Sequence, residues 1–336
     1  MAHEFVSGFF VREPAWHGLG TVLPDYLPLD TEEQIQAAMK LAGHDFTLDA
    51  RPVFVRDSIT QNLAAGWQAF VKRMPGNVSD GTILHIAKDS YQTVGNRECW
   101  GIMQALIGQG MKLETAVVLR RGAVCSLLAW LPEPIRIAGD DSDTLPFYNL
   151  KWAHDGSGAV SGRATSVRVV CMNTLSAAEI EGRSRGTEFD FTIRHTKNAV
   201  ARVEDAKLAL HGLRAAHAEY VELANELAEQ AITDSQLDLF IRQFIPSPDA
   251  SVEISDRVRE HIEDARGAVR GLFDDANPTI PPAHKRTAYG LMLAGVEYLD
   301  HIRAYRSDES RFGRSLLREE PAKAKLRTLI KEVVAA

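Results

Sequence analysis

The sequence predicts an α+β protein, with a mostly antiparallel sheet and interspersed helices followed by a helical C-terminal region. Three observations carry that expectation. Between Asp45 and Ile137, short β-branched and aromatic runs follow one another across turn-forming stretches. Segments of helical spacing with capping residues interrupt those runs. After Thr196 strand signals all but vanish and a heptad-like spacing takes over. The expected division is an α+β core over residues 1–199 and a helical region over 200–336.

The first landmark is Ala15-Trp16-His17-Gly18-Leu19-Gly20, where two glycines around a leucine make a tight turn. The Trp-His pair suits base stacking or a ligand; a packed turn with a satisfied histidine is the plainer reading. Thr31 then opens TEEQIQAAMKLAG, whose glutamates sit in a first helical turn and whose Gly43 closes the helix. FTLDARPVFV, WQAFVKRM and TILHIAKDSYQTV read as strands, and NRECWGIMQALIGQG returns to helical spacing. Two further strands flank Arg120-Arg121-Gly122, a predicted hairpin. Short connections of this kind favour antiparallel pairing.

The most reactive stretch follows, from Phe147 to Asn198. It holds Trp152, His154, Asp155, Gly156, Cys171, Asn173, Arg194 and His195. Its middle, SVRVVCM, reads as a buried strand. Asn173-Thr174 reads as the cap of a helix beginning SAAEIEG, where free backbone N–H groups would favour an anion.

In the C-terminal region Ala206, Leu210, Leu213, His217, Tyr220, Ala224, Leu227 and Ala231 recur in alternating steps of four and three. Coiled-coil oligomerisation is one reading; an alanine-rich seam that holds a histidine better suits an intrachain helical hairpin. Prolines 246 and 248 break the run. Helices are then expected over about 255–273, over 284–305 and after Ser315. Charge is polarised here: residues 204–275 carry a balance of −9 and residues 303–331 one of +5. Intramolecular pairing, a solvated face or a basic segment for polyanions would each account for it.

The 336 residues leave room for one large domain or two ordinary ones, and 45% hydrophobic with 25% charged residues is ordinary globular composition. A net charge of −7 argues against a uniformly basic coat, not against a local basic groove. Cys99, Cys125 and Cys171 are widely spaced and odd in number, so neither a disulfide framework nor a zinc pattern is predicted. The opening MAHEFVSGFF lacks the marks of a signal peptide and no apolar stretch is long enough to span a bilayer, so a cytoplasmic protein without membrane contact is expected.

Three chemistries compete. Cys171, His195 and Asn173 would compose a nucleophile, base and orienting amide, but Cys171 sits where a buried strand cysteine is expected. His154, Asp155 and His195 could ligate a divalent ion, though no spacing of the HExxH type supports it. No phosphate-loop or dinucleotide fingerprint is present, and no metal or cofactor is expected. Arg163, Arg168, Arg183, Arg185, Arg194 and Lys197 outnumber the four acids between Ser161 and Asn198. Arg163, Arg168, Arg194 and Lys197 could track a phosphate backbone, with Asn173 beside them and Trp152, Tyr148 or Trp16 stacking a base.

MAHE at the start, WHGLG at 16–20, HDGS at 154–157, RVVCMNTL at 168–175, RHT at 194–196 and EYLDH at 297–301 are the residues that carry a family likeness. With these motifs, over nearly the whole chain, the sequence resembles the phage/plasmid-like protein family, a domain-of-unknown-function group of bacteriophages, plasmids and their hosts. That resemblance implies a mobile-element setting and brings no assigned catalytic residues. Within it the leading expectation is a nucleic-acid-binding protein, similar to phage single-strand annealing proteins, which combine a twisted antiparallel sheet with a crossing helix and assemble into rings or filaments. Its expected partner is single-stranded DNA, and self-association to a homo-oligomer is part of the same expectation. The alternatives are a hydrolase-type enzyme using His154, Asp155, Cys171 and His195, and a non-catalytic assembly or regulatory protein.

Overall fold

In the computed structural model the expected α+β architecture is present, with helices dominating the C-terminal region. The structure describes residues 5–11, 20–76, 79–168, 173–175, 191–196, 213–249, 251–274, 277, 279–306 and 321–336. The chain divides into two compact units. One comprises Met1–Pro132, Tyr148–Arg163 and Glu188–Gly212; the other comprises Glu133–Phe147, Ala164–Thr187 and Leu213–Ala336.

The strands are β1 (Phe5–Phe10), β2 (Thr21–Val22), β3 (Thr47–Arg56), β4 (Gln61–Arg73), β5 (Ser79–Lys88), β6 (Lys112–Leu119), β7 (Val124–Trp130), β8 (Thr144–Ala153), β9 (Val160–Arg168), β10 (Asn173–Leu175) and β11 (Phe191–Ile193). They form two sheets. The larger has the order β10-β9-β8-β7-β6-β1-β2, with β11 also pairing β9; the smaller has the order β3-β4-β5. Pairing is antiparallel from β1 to β6, β6 to β7, β9 to β10 and β11, and throughout the smaller sheet; β1 with β2 is parallel. β1 was not legible in the sequence, because FVSGFF gains its strand character only from β6, with Phe9 opposite Ala116.

Helices α1 (Glu32–Ala42) and α2 (Asn96–Ile107) follow the predicted segments. Thr31 and Gln34 form a reciprocal capping box at the start of α1, and Gly43 ends it in the left-handed region at φ 76°. α1 packs on β1 and β6, and α2 on β6 and β7, burying Ile35 and Met39 from one and Trp100, Ile102, Met103 and Leu106 from the other. The predicted hairpin joins β6 to β7, with Arg120, Arg121 and Gly122 all at positive φ. Buried Lys72 holds this turn from β4. Its Nζ donates to the Arg121 carbonyl at 3.4 Å and lies over the Phe46 ring, 4.7 Å from the centroid.

The second unit is built on α3 (Leu213–Ala228), α4 (Asp234–Phe244), α5 (Asp256–Phe273), α6 (Ala288–Glu297, continuing as a π-turn to Ile302) and α7 (Pro321–Ala335). α6 is buried on all sides from Ala288 to Val296, as a helix apolar all round must be. A side chain at Gly295 would meet Leu326 of α7 at 2.7 Å, so glycine sets that close approach. Of the heptad-like seam, Tyr220, Ala224 and Leu227 pack into this intrachain core and His217 is buried, whereas Ala231 is exposed. Residues 197–212, with Ala206 and Leu210, lie outside the described residues.

The described end of the C-terminal basic segment, α7, is part of the fold. Leu326, Ile330 and Val333 of α7 are core residues, and Lys323, 2% exposed, pairs with Asp300, 3% exposed, at 2.6 Å. α4 has a clear signature in Thr233 and Gln236, a second capping box, which the two following prolines obscured.

Candidate functional site

The first unit contains a buried polar network around Asn96, the first residue of α2. Its amide donates from Nδ2 to the carbonyls of His44 (2.8 Å) and Phe46 (3.1 Å). Its Oδ1 accepts from Trp152 Nε1 (2.8 Å) and from His154 Nε2 (2.8 Å). An indole nitrogen only donates, so the end facing Trp152 is oxygen, and His154 must carry its proton on Nε2. A second chain of logic fixes His44: Trp100 Nε1 donates to its Nδ1 (2.9 Å), so its Nε2 donates to the Val117 carbonyl (2.9 Å). Both rings are therefore held neutral. Burial pushes His44 down to about 4 and His154 down to about 3, the latter helped by the nearby rings of His195 and His44.

His154 opens the His-Asp-Gly-Ser motif and links this network to a half-buried cluster. Asp155 Oδ1 accepts from the Ser157 N–H at 2.9 Å, closing a turn, and its Oδ2 lies 4.0 Å from Arg120. Gly156 is at φ 74°, and a Cβ there would come within 2.5 Å of the His85 ring, so the motif needs glycine both for its turn and for contact with β5. His85 meets Tyr91 edge-on at 5.0 Å, and Tyr91 stacks on His195 at 5.1 Å. The Val94 N–H donates to His195 Nδ1 at 3.3 Å, which leaves the neutral ring's proton on Nε2.

Among the described residues, three polar atoms here are buried with no partner in bonding geometry: His154 Nδ1, His195 Nε2 and Tyr91 Oη. They are respectively an acceptor, a donor and a group that is either. Burial, then the Asp155 charge, raises Tyr91 to about 12, so its hydroxyl stays protonated at neutral pH. Burial likewise lowers His195, opposed by the carbonyls of Gln92, Ala153 and Gly158. At neutral pH the cluster thus offers uncharged donors and acceptors beside one carboxylate and one guanidinium. His154 is too weakly basic to serve as a general base there, so acid–base work would fall to His195 or Asp155.

The expected site residues are distributed unevenly. His154, Asp155 and His195 converge. Trp152 is fully buried with its indole bonded to Asn96, and Tyr148 is also fully buried; this corrects their reading as stacking platforms, since no ring face reaches solvent. Asn173 begins strand β10, opposite Arg168 of β9, and so does not cap a helix. The segment SAAEIEG, Cys171, Lys197 and the Trp16-His17 pair lie outside the described residues. Arg163 and Arg194 fall on one side of the β9–β11 pair. Thr192 is opposite Ser161, and the two arginines stand two residues from those positions. That side is outward, because the alternating residues Val160, Gly162 and Ile193 are buried.

His85, Tyr91, Asn96 and Arg120 were not named as site residues from sequence; strand pairing and the hairpin bring them to the site. Among the described residues no group of three or more His, Cys, Asp or Glu side chains is arranged to hold a metal, and no helix is long and apolar enough to cross a membrane.

Fold and site together define an α+β protein whose His-Asp-Gly-Ser turn sits on an imidazole–tyrosine cluster. The chain belongs to the family described as domain of unknown function DUF932, whose model matches residues 83–319. That span includes every member of the cluster. Comparisons with curated proteins and with solved structures return no match.

Proposed function

We propose that this chain is a mobile-element protein that binds single-stranded nucleic acid. The observation that supports the reading is the shared outward side of β9 and β11, which presents Ser161, Arg163, Thr192 and Arg194. Arginines on an open strand pair suit phosphate oxygens, with hydroxyls beside them as further donors. The order β3-β4-β5-α2, an antiparallel sheet followed directly by a helix, is compatible with a single-strand annealing role. Arg168 and Lys197 complete the proposed basic set, and the resemblance to the phage/plasmid-like protein family supports the proposed setting.

The test removes Arg163, Arg168, Arg194 and Lys197 together by substitution with glutamine. Folding is checked by circular dichroism, and labelled single-stranded DNA is titrated at several salt concentrations. Each lost phosphate contact lowers the logarithmic salt slope by roughly 0.7. An unchanged affinity and slope in the folded variant would exclude this face.

A second reading, catalysis on a small or nucleotide substrate, is favoured by His154 Nδ1 and Tyr91 Oη, buried without a partner among the described residues. Buried polar groups without partners are uncommon, and a bound substrate is one way to satisfy them. Loss of a measured turnover on Tyr91→Phe or His195→Gln, with DNA affinity unchanged, would select it.

A further inference from the structure

The geometry points to the cluster around His154 and Tyr91 as a recognition pocket for one nucleobase of a bound strand. The proposal rests on the nucleic-acid reading for the strand; the pocket itself is argued from its own atoms. His154 is 1% exposed, and its ring is oriented by the Nε2 proton given to Asn96 at 2.8 Å. Its Nδ1 is thereby a bare acceptor, and among the described residues nothing donates to it. Tyr91 Oη is likewise buried without a partner there, and it carries a proton to donate. Polar atoms buried in this way are costly to the empty protein, and a ligand that pairs both removes the cost.

The walls select the occupant. Tyr91 stacks on His195 with ring centroids 5.1 Å apart, His85 meets Tyr91 edge-on at 5.0 Å, and Phe46 meets the His154 ring edge-on at 5.6 Å. The two ends of the cluster act on each other: His195 helps to lower the His154 pKa, and Asp155, the next residue, helps to raise that of Tyr91. An anion is unsuited, because His154 presents a lone pair and Asp155 a carboxylate. A metal ion lacks a third ligand among the described residues. A sugar brings more hydroxyls than two atoms can pair, and each one left over is penalised. A nucleobase edge sets an N–H beside an acceptor, the two partners that His154 Nδ1 and Tyr91 Oη lack, on a flat uncharged ring suited to aromatic walls.

Topology sets this pocket at the end of the face proposed for phosphates. The His-Asp-Gly-Ser turn lies in the connection from β8 to β9, and β11 runs antiparallel to β9 with Ile193 opposite Val160, the first residue of β9. β11 therefore ends beside that turn, and the carbonyls of Ala153 and Gly158 act on His195 just beyond it. Arg194, immediately before His195, is exposed. One step of backbone, ~3.8 Å, thus separates an exposed cation from a ring that walls the pocket. Entry is from the tip of the turn, where Gly156 and Ser157 are exposed and Asp155 is half-buried. A strand whose phosphate meets Arg194 turns one base inward there.

The experiment titrates the full chain with two labelled single-stranded oligonucleotides, one carrying all its bases and one with abasic sites, and in a separate arm with free nucleosides. Two variants probe the pocket. Tyr91→Phe removes only the unpartnered hydroxyl. His154→Gln keeps an N–H where Nε2 donates to Asn96 and removes the Nδ1 acceptor. Each is expected to weaken binding of the base-containing strand about fivefold, the worth of one hydrogen bond, and to leave the abasic strand unchanged. The free Tyr91→Phe protein should melt no lower than the unaltered chain, because the lost hydroxyl bonds nothing. Variants that bind as the unaltered chain does, or a lowered melting temperature for Tyr91→Phe, would overturn the proposal. A strand bound equally well with and without its bases would keep the β9–β11 face and exclude the pocket. Nucleosides bound in the absence of any strand affinity would keep the pocket and exclude that face, and no binding in either arm removes both.

Discussion

Replacing Asn96 with alanine should be among the most damaging single substitutions in the first unit. The side chain makes four hydrogen bonds and is 4% exposed, so its removal strips two carbonyls, an indole N–H and an imidazole N–H at once. Each buried group left unsatisfied costs about 1–3 kcal/mol. Water entering the vacated space offsets part of this, so the low end applies and the sum is roughly 4 kcal/mol, a large share of the ~5–15 kcal/mol that holds a typical domain. With a urea slope near 2 kcal/mol per molar, the midpoint should fall by about 2 M. All five tryptophans, at 16, 67, 100, 130 and 152, belong to the first unit, so intrinsic fluorescence follows that unit specifically. A drop smaller than about 0.5 M, with the slope unchanged, would refute the claim that Asn96 organises the network. Asn96→Asp gives an independent check. It keeps both acceptor contacts and loses both donors, and its carboxylate should raise the His154 pKa, moving the stability optimum towards acid.

Three further outcomes are expected. His44 is held neutral with its pKa near 4 against 6.5 for an unhindered ring, so acid protonates the unfolded chain first. Stability is full above about pH 6.5 and is lost as pH falls towards 4, by roughly 3 kcal/mol for this residue, with His154 adding loss in the same direction down to about 3. Chemical denaturation between pH 7 and 4.5 would reveal it, and a flat profile would contradict the buried neutral assignment. Cys99 and Cys125 are fully buried and their thiols are pushed up by that burial, so both should resist a mild thiol reagent until the chain unfolds. Two thiols reacting rapidly in the native chain would disprove this, since only Cys171 lies elsewhere. Lys323→Met alone strands Asp300 and should cost about 3–5 kcal/mol, whereas Lys323→Met with Asp300→Leu should recover most of it. Equal losses for the single and double variants, read from thermal melts, would show that the pair is not the source.

Much of the architecture was legible because its signals are local. Thr31 and Gly43 delimit α1 through bonds that span only a few residues, and Arg120-Arg121-Gly122 announces a turn between two β-branched runs. The same locality explains the elements missed or misread. β1 is a strand only because β6 lies beside it, and Asn173-Thr174 carries cap-type residues that β9 instead recruits into a ladder. The candidate site divides in the same way. His154, Asp155 and His195 attract notice as reactive residues in suggestive motifs, yet sequence could not separate His154, shut in and neutral, from Asp155, at the rim beside Arg120.

What the sequence by itself determined was the inventory: the segments whose helix or strand signals are local, the absence of phosphate-loop and zinc patterns, and the reactive stretch from Phe147 to Asn198. Tertiary structure alone decided which tryptophan faces water. Trp152 and Trp67 both sit in strands of alternating pattern, but Trp152 finds Asn96 and α2 above it and is fully buried, while Trp67 on β4 stays 46% exposed. The physical reason is that burial is a property of pairs of elements. A side chain's periodicity states which face it occupies, and only the element packed against that face determines whether it becomes core, ligand site or surface.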